Sequence, residues 1–386
     1  MTIIRYSRLH KTWTHHEKSL KFGHGRVLAI AHSSSLSCFV QQSGDRVGPL
    51  IGILTSRNAS GNICGDWKRF AAMQRELRIR GGISFVFTPE DIQTSSITGY
   101  VLLSNGTWIA CDFPYPDVIY NRIPYRSHEN GESCKHALSL FAKADIPLFN
   151  PHFFSKWDVH QALYRNEKIR SFLLPTVLLD SPEHLIEMLQ SYHQLYVKRC
   201  ASSKGKHLFV MQLMKDKITI TSPTGATQYL EHHDFRGLFE ESKLYLAQPA
   251  LQHDSHNNHK YDLRILVHYL SGSFSITGIG IRVAPVGGVV THVHYGGEQI
   301  HVNELARPIQ YDTLTELARQ CGNSLCTYFG KVREFSMDIG VDTNGNYFIY
   351  ECNAKPMTFD EREIEVQAIQ NIVTICEQEA GFYPDS

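Results

Sequence analysis

Apolar runs and helical stripes begin clearly at GPLIGILTSR, where Leu50 to Thr55 is apolar in succession, as in a strand covered on both faces. DWKRFAAMQRELRIRGG then sets Trp67, Phe70, Met73 and Leu77 on one helical face, with Gly81 as a stop signal. ISFVFT and PDVIYNRIP read as two further strands. Strand, helix and strand at this spacing predict an N-terminal α/β subdomain over residues 47–150.

A second unit is expected over residues 151–386. FNPHFFSKWDVHQAL opens it, LPTVLL follows, and Ser181 with Pro182 announces a helix. LYVKRCA and LFVMQLM are strands joined by SSKGKH, followed by KITITS, a short helix and KLYLAQPAL. YDLRILVHYLSGSFSITGIGIRV reads as a hairpin turning at Ser271 to Ser273. YDTLTELARQCGNSLCTYFGK is a helix with Leu314, Leu317, Cys321, Leu325 and Phe329 inward. REFSMDIGVDTNGNYFIYECN is another hairpin, its turn marked by Asn344 and Gly345. The closing helix presents Ile364, Ile369, Ile372, Val373 and Cys376 to a core. Residues 1–46 differ: they are polar, His-rich and weakly periodic, and predict a short edge element or a loosely held arm. No repeat of 20 to 50 residues is visible.

The length of 386 residues suits two or three subdomains. Lys plus Arg and Asp plus Glu both total 38, so no overall field selects nucleic acid or an anionic membrane. No stretch approaches the ~20 apolar residues of a membrane span. The opening residues lack the long apolar core of a secretory signal. The nine cysteines contain no C-x-x-C and read as reduced core residues, so a cytoplasmic location is expected.

Familiar phosphate and hydrolase signatures are absent: there is no G-x-x-x-x-G-K-[ST], H-E-x-x-H or G-x-S-x-G, and GIGIRV lacks the third glycine of a dinucleotide loop. What remains is a dispersed set of charges on well-formed strands. Lys198 lies inside a β pattern beside the loop Ser202 to Gly205. Free N–H groups next to a lysine can cradle phosphate oxygens, or the lysine simply faces solvent beside a hairpin turn. Asp262 and Arg264 share a strand face, with Arg282 on the return strand. Guanidinium groups there suit phosphate or carboxylate, or form a surface ion pair with Asp262.

The stretch FIYECNAKPM decides between these readings. Side chains alternate along a strand, so Glu351 and Asn353 point the same way, with Asp338 on the partner strand. Two carboxylates and an amide oxygen make a hard site suited to Mg²⁺, which keeps waters and bridges substrate phosphates. The histidines of HDSHNNH (His253, His256, His259) and HVH (His292, His294) raise a separate idea, a transition-metal site, against which stands an ordinary polar loop surface.

Together these segments resemble the ATP-grasp superfamily and, within it, the YheC/YheD family of Bacillus-type spore formers. The likeness covers roughly residues 49–380, and its most specific part is SMDIGVDTNGNYFIYECNAKP, a metal-binding acid followed one hairpin later by E-x-N. It implies an ATP-grasp fold of two α+β lobes behind the N-terminal α/β subdomain. It also implies ATP and Mg²⁺ between the lobes, and ligation of a carboxylate substrate to an amine or thiol acceptor through an acyl-phosphate. Lys156 and Lys198 match the lysines that reach nucleotide phosphates, and Ser202, Ser203, Lys204 and Gly205 the loop that closes over them. Gln248, Pro249, Ala250 and Leu251 fall at the hinge whose backbone reads adenine. Arg264 and Arg282 match arginines at the transferred phosphoryl group, and Asp338, Glu351 and Asn353 the metal ligands. In two places the chain departs from the pattern: QPALQ carries no acid at the hinge, and His292 stands where many relatives have Asn. The family's link to endospores also implies spore coat proteins as partners, and a nucleotide-binding coat component without turnover as the rival to a ligase.

Overall fold

The computed structural model describes residues 1–16, 18–31, 36–201, 207–214, 217–230, 244–291 and 293–382. They form four sheets. The first corrects the expectation of an arm over residues 1–46. Thr2–Ser7 pairs antiparallel with both Thr12–His15 and Leu36–Ser43, and four shorter strands extend the sheet to seven. Ile4, Tyr6, Trp13, Phe22, Val40 and Val47 are buried in one core with Phe85 and Phe113 of the next sheet. Trp13 donates its indole N–H to the Asp112 carbonyl at 2.9 Å, and Tyr6 accepts from the Asp112 N–H at 3.0 Å. Four of the strands are only two or three residues long. That is too short for alternation to show, while scattered aromatics supply the buried area.

The second sheet runs in the order Trp108–Phe113, Ile97–Leu102, Ile83–Phe87, Leu50–Leu54, Val118–Asn121, Leu148–Phe149. Its centre is parallel, as the strand–helix–strand pattern requires. The helix Trp67–Ile79 is N-capped by Asp66, which accepts from the Arg69 N–H at 3.1 Å. It buries Phe70, Met73 and Leu77 and ends before Gly81, whose φ is +82°.

The third sheet is antiparallel throughout: Val177–Leu179, Tyr245–Pro249, Gln194–Arg199, Leu208–Met214, Lys217–Thr221, Thr227–Leu230. The helix Pro182–Tyr192 covers it, capped by Ser181 as the sequence implies. The fourth sheet carries both expected long hairpins. His259–Leu270 lies between Ser273–Val283 and Glu334–Val341, which in turn pairs with Tyr347–Asn353. Helix Tyr311–Phe329 buries Leu314, Leu317, Cys321, Leu325 and Phe329 against this sheet. Helix Arg362–Glu379 turns Ile369, Ile372, Val373 and Cys376 into a core shared with Ile51, Ile53 and Tyr120 of the second sheet.

A buried charge network ties the second and fourth sheets together. Glu334 is 0% exposed and accepts from Arg69 at 2.5 Å and from the Tyr120 hydroxyl at 2.6 Å, with Arg122 at 3.4 Å and His268 at 3.5 Å. Burial opposes its ionisation, but Arg69 foremost, with His268 and Arg122, holds the carboxyl well below its usual range. Among the described residues no helix is long and apolar enough to cross a membrane.

Candidate active site

Strand register places the charges. Asp262 and Arg264 lie two apart on the central strand His259–Leu270 and so share a face. Arg282 stands opposite Asp262 on one neighbouring strand, and Asp338 opposite Arg264 on the other. Glu351 is opposite Asp338, and Asn353 is opposite Ser336. Two neighbouring rows across four strands thus hold two arginines and three carboxylates.

The last pairing is interrupted. Asp338 faces Glu351 but Ile339 faces Ile349, leaving Tyr350 as an extra residue. A bulge of this kind re-aims side chains, and here the sequence neighbours Tyr350 and Glu351 both line one cavity. Gly340 makes room, since a Cβ there would come within 2.0 Å of the Tyr350 hydroxyl oxygen.

That cavity, of about 150 Å³, lies between the third and fourth sheets. Of the sequence-nominated residues, Lys156, Lys198, Gln248, Pro249, Leu251, Arg282, Asp338 and Glu351 line it. Arg264 and Asn353 line a second cavity of about 420 Å³ toward the second sheet, which shares Arg282, Asp338 and Glu351 with the first. Ala250 lines neither, and its N–H is spent on the Gln194 carbonyl at 3.0 Å. Ser202, Ser203, Lys204, Gly205 and His292 lie outside the described residues.

Lys198 is not the solvent-facing lysine of a hairpin edge. It is 8% exposed, donates to Gln248 Oε1 at 2.8 Å, and lies 5.6 Å from the Tyr350 ring centroid. Burial lowers its pKa to about 8, with Glu351 resisting the shift. Lys156, the first residue of the helix Lys156–Tyr164, pairs directly with Glu351. Burial pushes Glu351 up, but Lys156 and Lys198 outweigh it and hold the carboxyl below its usual range. Asp338 is shifted the other way, by burial and then by the neighbouring Glu351. Asp262 is raised to about 7 by burial and by Asp338, and it accepts from the Thr291 hydroxyl. No surface ion pair forms between Asp262 and the arginines: Arg264 is 8% exposed and its Nε has no hydrogen-bond partner.

The fit to a divalent cation rests on the acids themselves. Asp338 Oδ1 is buried without a partner, while the Asn353 amide nitrogen donates to Asp338 at 3.2 Å and to Glu351 at 2.9 Å. A half-turn of that amide presents its oxygen instead, since the two orientations differ only in hydrogen-bond assignment. Two carboxylates and one amide oxygen suit Mg²⁺, which takes the rest of its shell from phosphate and water. Among the described residues no cluster of three or more His, Cys, Asp and Glu side chains is arranged as a metal site. His253 instead faces Tyr350 at 3.3 Å, and His259 bonds the Ala284 carbonyl at 2.9 Å.

Sequence reasoning missed Lys260, Tyr196 and Thr291, all of which line the first cavity. Lys260 was findable: it lies two residues before Asp262 on a strand whose alternation was already read. It donates to the Tyr196 hydroxyl at 3.0 Å, and burial lowers its pKa to about 8. Lys156, Lys198, Lys260, Arg264 and Arg282 thus surround Asp262, Asp338 and Glu351 across the two cavities. Cations outnumber acids, and two of the acids are pulled toward neutrality, so the site favours a polyanion accompanied by a cation.

The family model described as YheC/D-like ATP-grasp matches residues 145–377, well over half of the chain. The chain is 24% identical over 351 residues to the endospore coat-associated protein YheD of Bacillus subtilis (strain 168), spanning 85% of this chain and 77% of that protein. Among solved structures it is similar to the ATP-grasp ligase PsnB complexed with a minimal precursor, with a TM-score of 0.51, 15% identity, and coverage of 87% of this chain and 99% of that one. It is also similar to D-alanyl-alanine synthetase A from Vibrio cholerae O1 biovar eltor, with a TM-score of 0.50, 12% identity, and coverage of 86% and 98%. At these identities the structural likeness establishes the ATP-grasp fold.

Proposed function

Because the chain belongs to the YheC/D-like ATP-grasp family, we propose that it is an ATP-dependent ligase joining a carboxylate to an amine or thiol through an acyl-phosphate. The observation that carries this is the shared wall of the two cavities. Arg282, Asp338 and Glu351 face a lysine-lined chamber on one side and an arginine-lined chamber on the other. A nucleotide in the first chamber would direct its terminal phosphate at a substrate in the second.

In this reading Lys156 and Lys198 bind phosphate oxygens, and the hinge at Gln248, Pro249 and Leu251 flanks the base. Asp338, Glu351 and Asn353 would hold Mg²⁺, which supplies charge neutralisation of the phosphates. A substrate carboxylate oxygen attacks the γ-phosphorus, and the bond to the β–γ bridging oxygen breaks with its electron pair leaving on ADP. Arg264 and Arg282 stabilise the charge spread over the transferring group. The acceptor nitrogen or sulfur then attacks the acyl carbon, the carbon–oxygen bond to phosphate breaks, and the acceptor's proton is released as inorganic phosphate departs. The neighbours' names, an ATP-grasp ligase complexed with a minimal precursor and a D-alanyl-alanine synthetase, support this reaction class.

The name of the Bacillus relative favours a second reading, a coat-associated protein that binds nucleotide without turnover. Magnesium-dependent ADP release separates the two. The purified chain is incubated with ATP, Mg²⁺ and a panel of amino acids and short peptides, and ADP is measured. Release that requires both an acid and an acceptor supports the ligase. Nucleotide binding without release under every combination favours the coat reading, and failure to bind nucleotide overturns both.

A further inference from the structure

Five cations line the 420 Å³ cavity: Arg122, Arg126, Arg264, Arg282 and Lys355. Two already have carboxylates of their own. Arg122 pairs with Glu334 at 3.4 Å, and Lys355 pairs with Glu129. No ion pair within the described residues involves the other three. Arg264 and Arg282 stand beside Asp338 at the wall shared with the nucleotide chamber, and a transferring phosphoryl group accounts for them.

Arg126 is not accounted for. Its guanidinium donates to the Phe154 carbonyl at 2.6 Å and lies 5.0 Å from the Phe153 ring centroid, while its Nε–H is buried without a partner. Glu129, one helical turn away, is spent on Lys355, on Asn121 at 3.2 Å and on the Phe153 N–H at 2.7 Å. A buried Nε–H lacking an acceptor is unfavourable in the free protein, even where another N–H of the same guanidinium is bonded. Its surroundings are nonetheless organised, with an aromatic face beneath it and a carbonyl fixing its plane. Such a group is set to receive an anion from the cavity.

We propose that Arg126 anchors a second carboxylate of the substrate. The donor is then a dianion, a dicarboxylate or a peptide with neighbouring acidic residues. One carboxylate lies at Arg264 and Arg282 for phosphorylation, and another is held at Arg126 above Phe153. Phosphorylation of only one of the two follows, because Arg126 lines the substrate chamber and not the nucleotide chamber. This assignment rests on the ligase reading and adds the substrate class to it.

The test uses the full chain loaded with AMPPNP and Mg²⁺ and titrated calorimetrically with matched pairs. These are N-acetyl-glutamate against N-acetyl-glutamine, succinate against succinamate, and N-acetyl-Glu-Glu-amide against N-acetyl-Glu-Gln-amide. At least one dianion should bind roughly tenfold tighter than its monoamide. Arg126→Gln should bring that ratio near one, and Arg126→Lys should keep part of it, with AMPPNP affinity the same in all proteins as the check on folding. Ratios near one for all pairs in the native protein, or a ratio that survives Arg126→Gln, overturn the proposal while leaving nucleotide binding intact. Failure of AMPPNP to bind the native protein overturns instead the reading on which it rests.

Discussion

Replacing Glu351 by Gln separates a metal ligand from a structural acid. In the free protein Glu351 pairs with Lys156 and accepts from Asn353 at 2.9 Å. Part of the Lys156 charge is therefore already neutralised by Glu351 before any phosphate enters. Without metal, Glu351 repels the phosphates and competes for Lys156, so Glu351→Gln should bind a nucleotide analogue as well as the native protein, or better. With Mg²⁺ the sign should reverse, because Glu351 would offer the cation a charged ligand where an amide offers only a neutral oxygen.

Two unit charges about 4 Å apart interact by about 1 kcal/mol in water and about 4 kcal/mol at an effective permittivity of 20. Losing one charged contact in a partly dry site costs about 1.5–3 kcal/mol. The gain in affinity on adding Mg²⁺ should thus shrink by roughly 10- to 100-fold. The assay is calorimetric titration of AMPPNP with Mg²⁺ and with EDTA for both proteins, with circular dichroism as a control. An unchanged magnesium gain would refute the ligand role, and loss of the native spectrum would make Glu351 a folding residue.

Three further outcomes follow from the same geometry. Lys198→Ala should weaken AMPPNP binding by roughly 10- to 100-fold, and Lys156→Ala by less, since it also frees Glu351; equal affinity in Lys198→Ala by calorimetry would end its phosphate role. Arg264→Lys should lower ADP release more than AMPPNP affinity, because the planar fork is lost while charge remains; normal turnover would leave Arg264 a structural residue. Glu334→Gln should destabilise the fold by about 3 kcal/mol in urea titrations, since it leaves buried Arg69 with only the longer Glu365 pair at 3.4 Å. The Glu334 carboxyl is depressed in the folded state, so its contribution is present above the unfolded value near 4.3 and is lost as pH falls toward the folded one. A variant whose acid unfolding matches the native curve would refute that assignment.

The strands that carry the site were legible because both hairpins combine apolar alternation with marked turns, at Ser271 and Gly272 and at Asn344 and Gly345. Asp262, Arg264 and Asp338 could therefore be placed on their strands, and Glu351 and Asn353 on a common face of theirs, but the pairing of Glu351 with Asp338 depends on the bulge. The bulge at Tyr350 could not, since one unpaired residue leaves no trace in a run of apolar side chains. The hairpin Ile97–Leu102 with Trp108–Phe113 went unread although its turn holds Asn105 and Gly106, with φ +85° at the glycine. The N-terminal sheet was illegible for a different reason. Strands of two or three residues have no period, and Trp13 and Phe22 are committed to the core by contacts with residues far along the chain. Arg126 was hidden because its significance lies in what it lacks. Only the structure reveals that Glu129 is already occupied.

The distribution of carboxylates explains why the 420 Å³ cavity can hold several cations and still be stable. Glu334 and Glu129 are almost fully buried, and each is saturated by donors from different parts of the chain. Through them Arg122 and Lys355 become fasteners. Arg122 also donates to the Pro356 carbonyl at 3.1 Å, and Lys355 to Asn121 at 3.0 Å, which locks the end of the Tyr347–Asn353 strand onto the N-terminal subdomain. The wall of the chamber is therefore set by ion pairs already complete in the free protein, and breaking them affects folding first. Arg126, Arg264 and Arg282 project from that fixed wall without carboxylates of their own, so their unmet electrostatic demand is transferred to whatever enters. A chamber of arginines alone would repel itself, and one fully paired would bind nothing. Dividing the cations between fasteners and open contacts would let one small cavity be rigid and, on the proposed reading, still selective for anions.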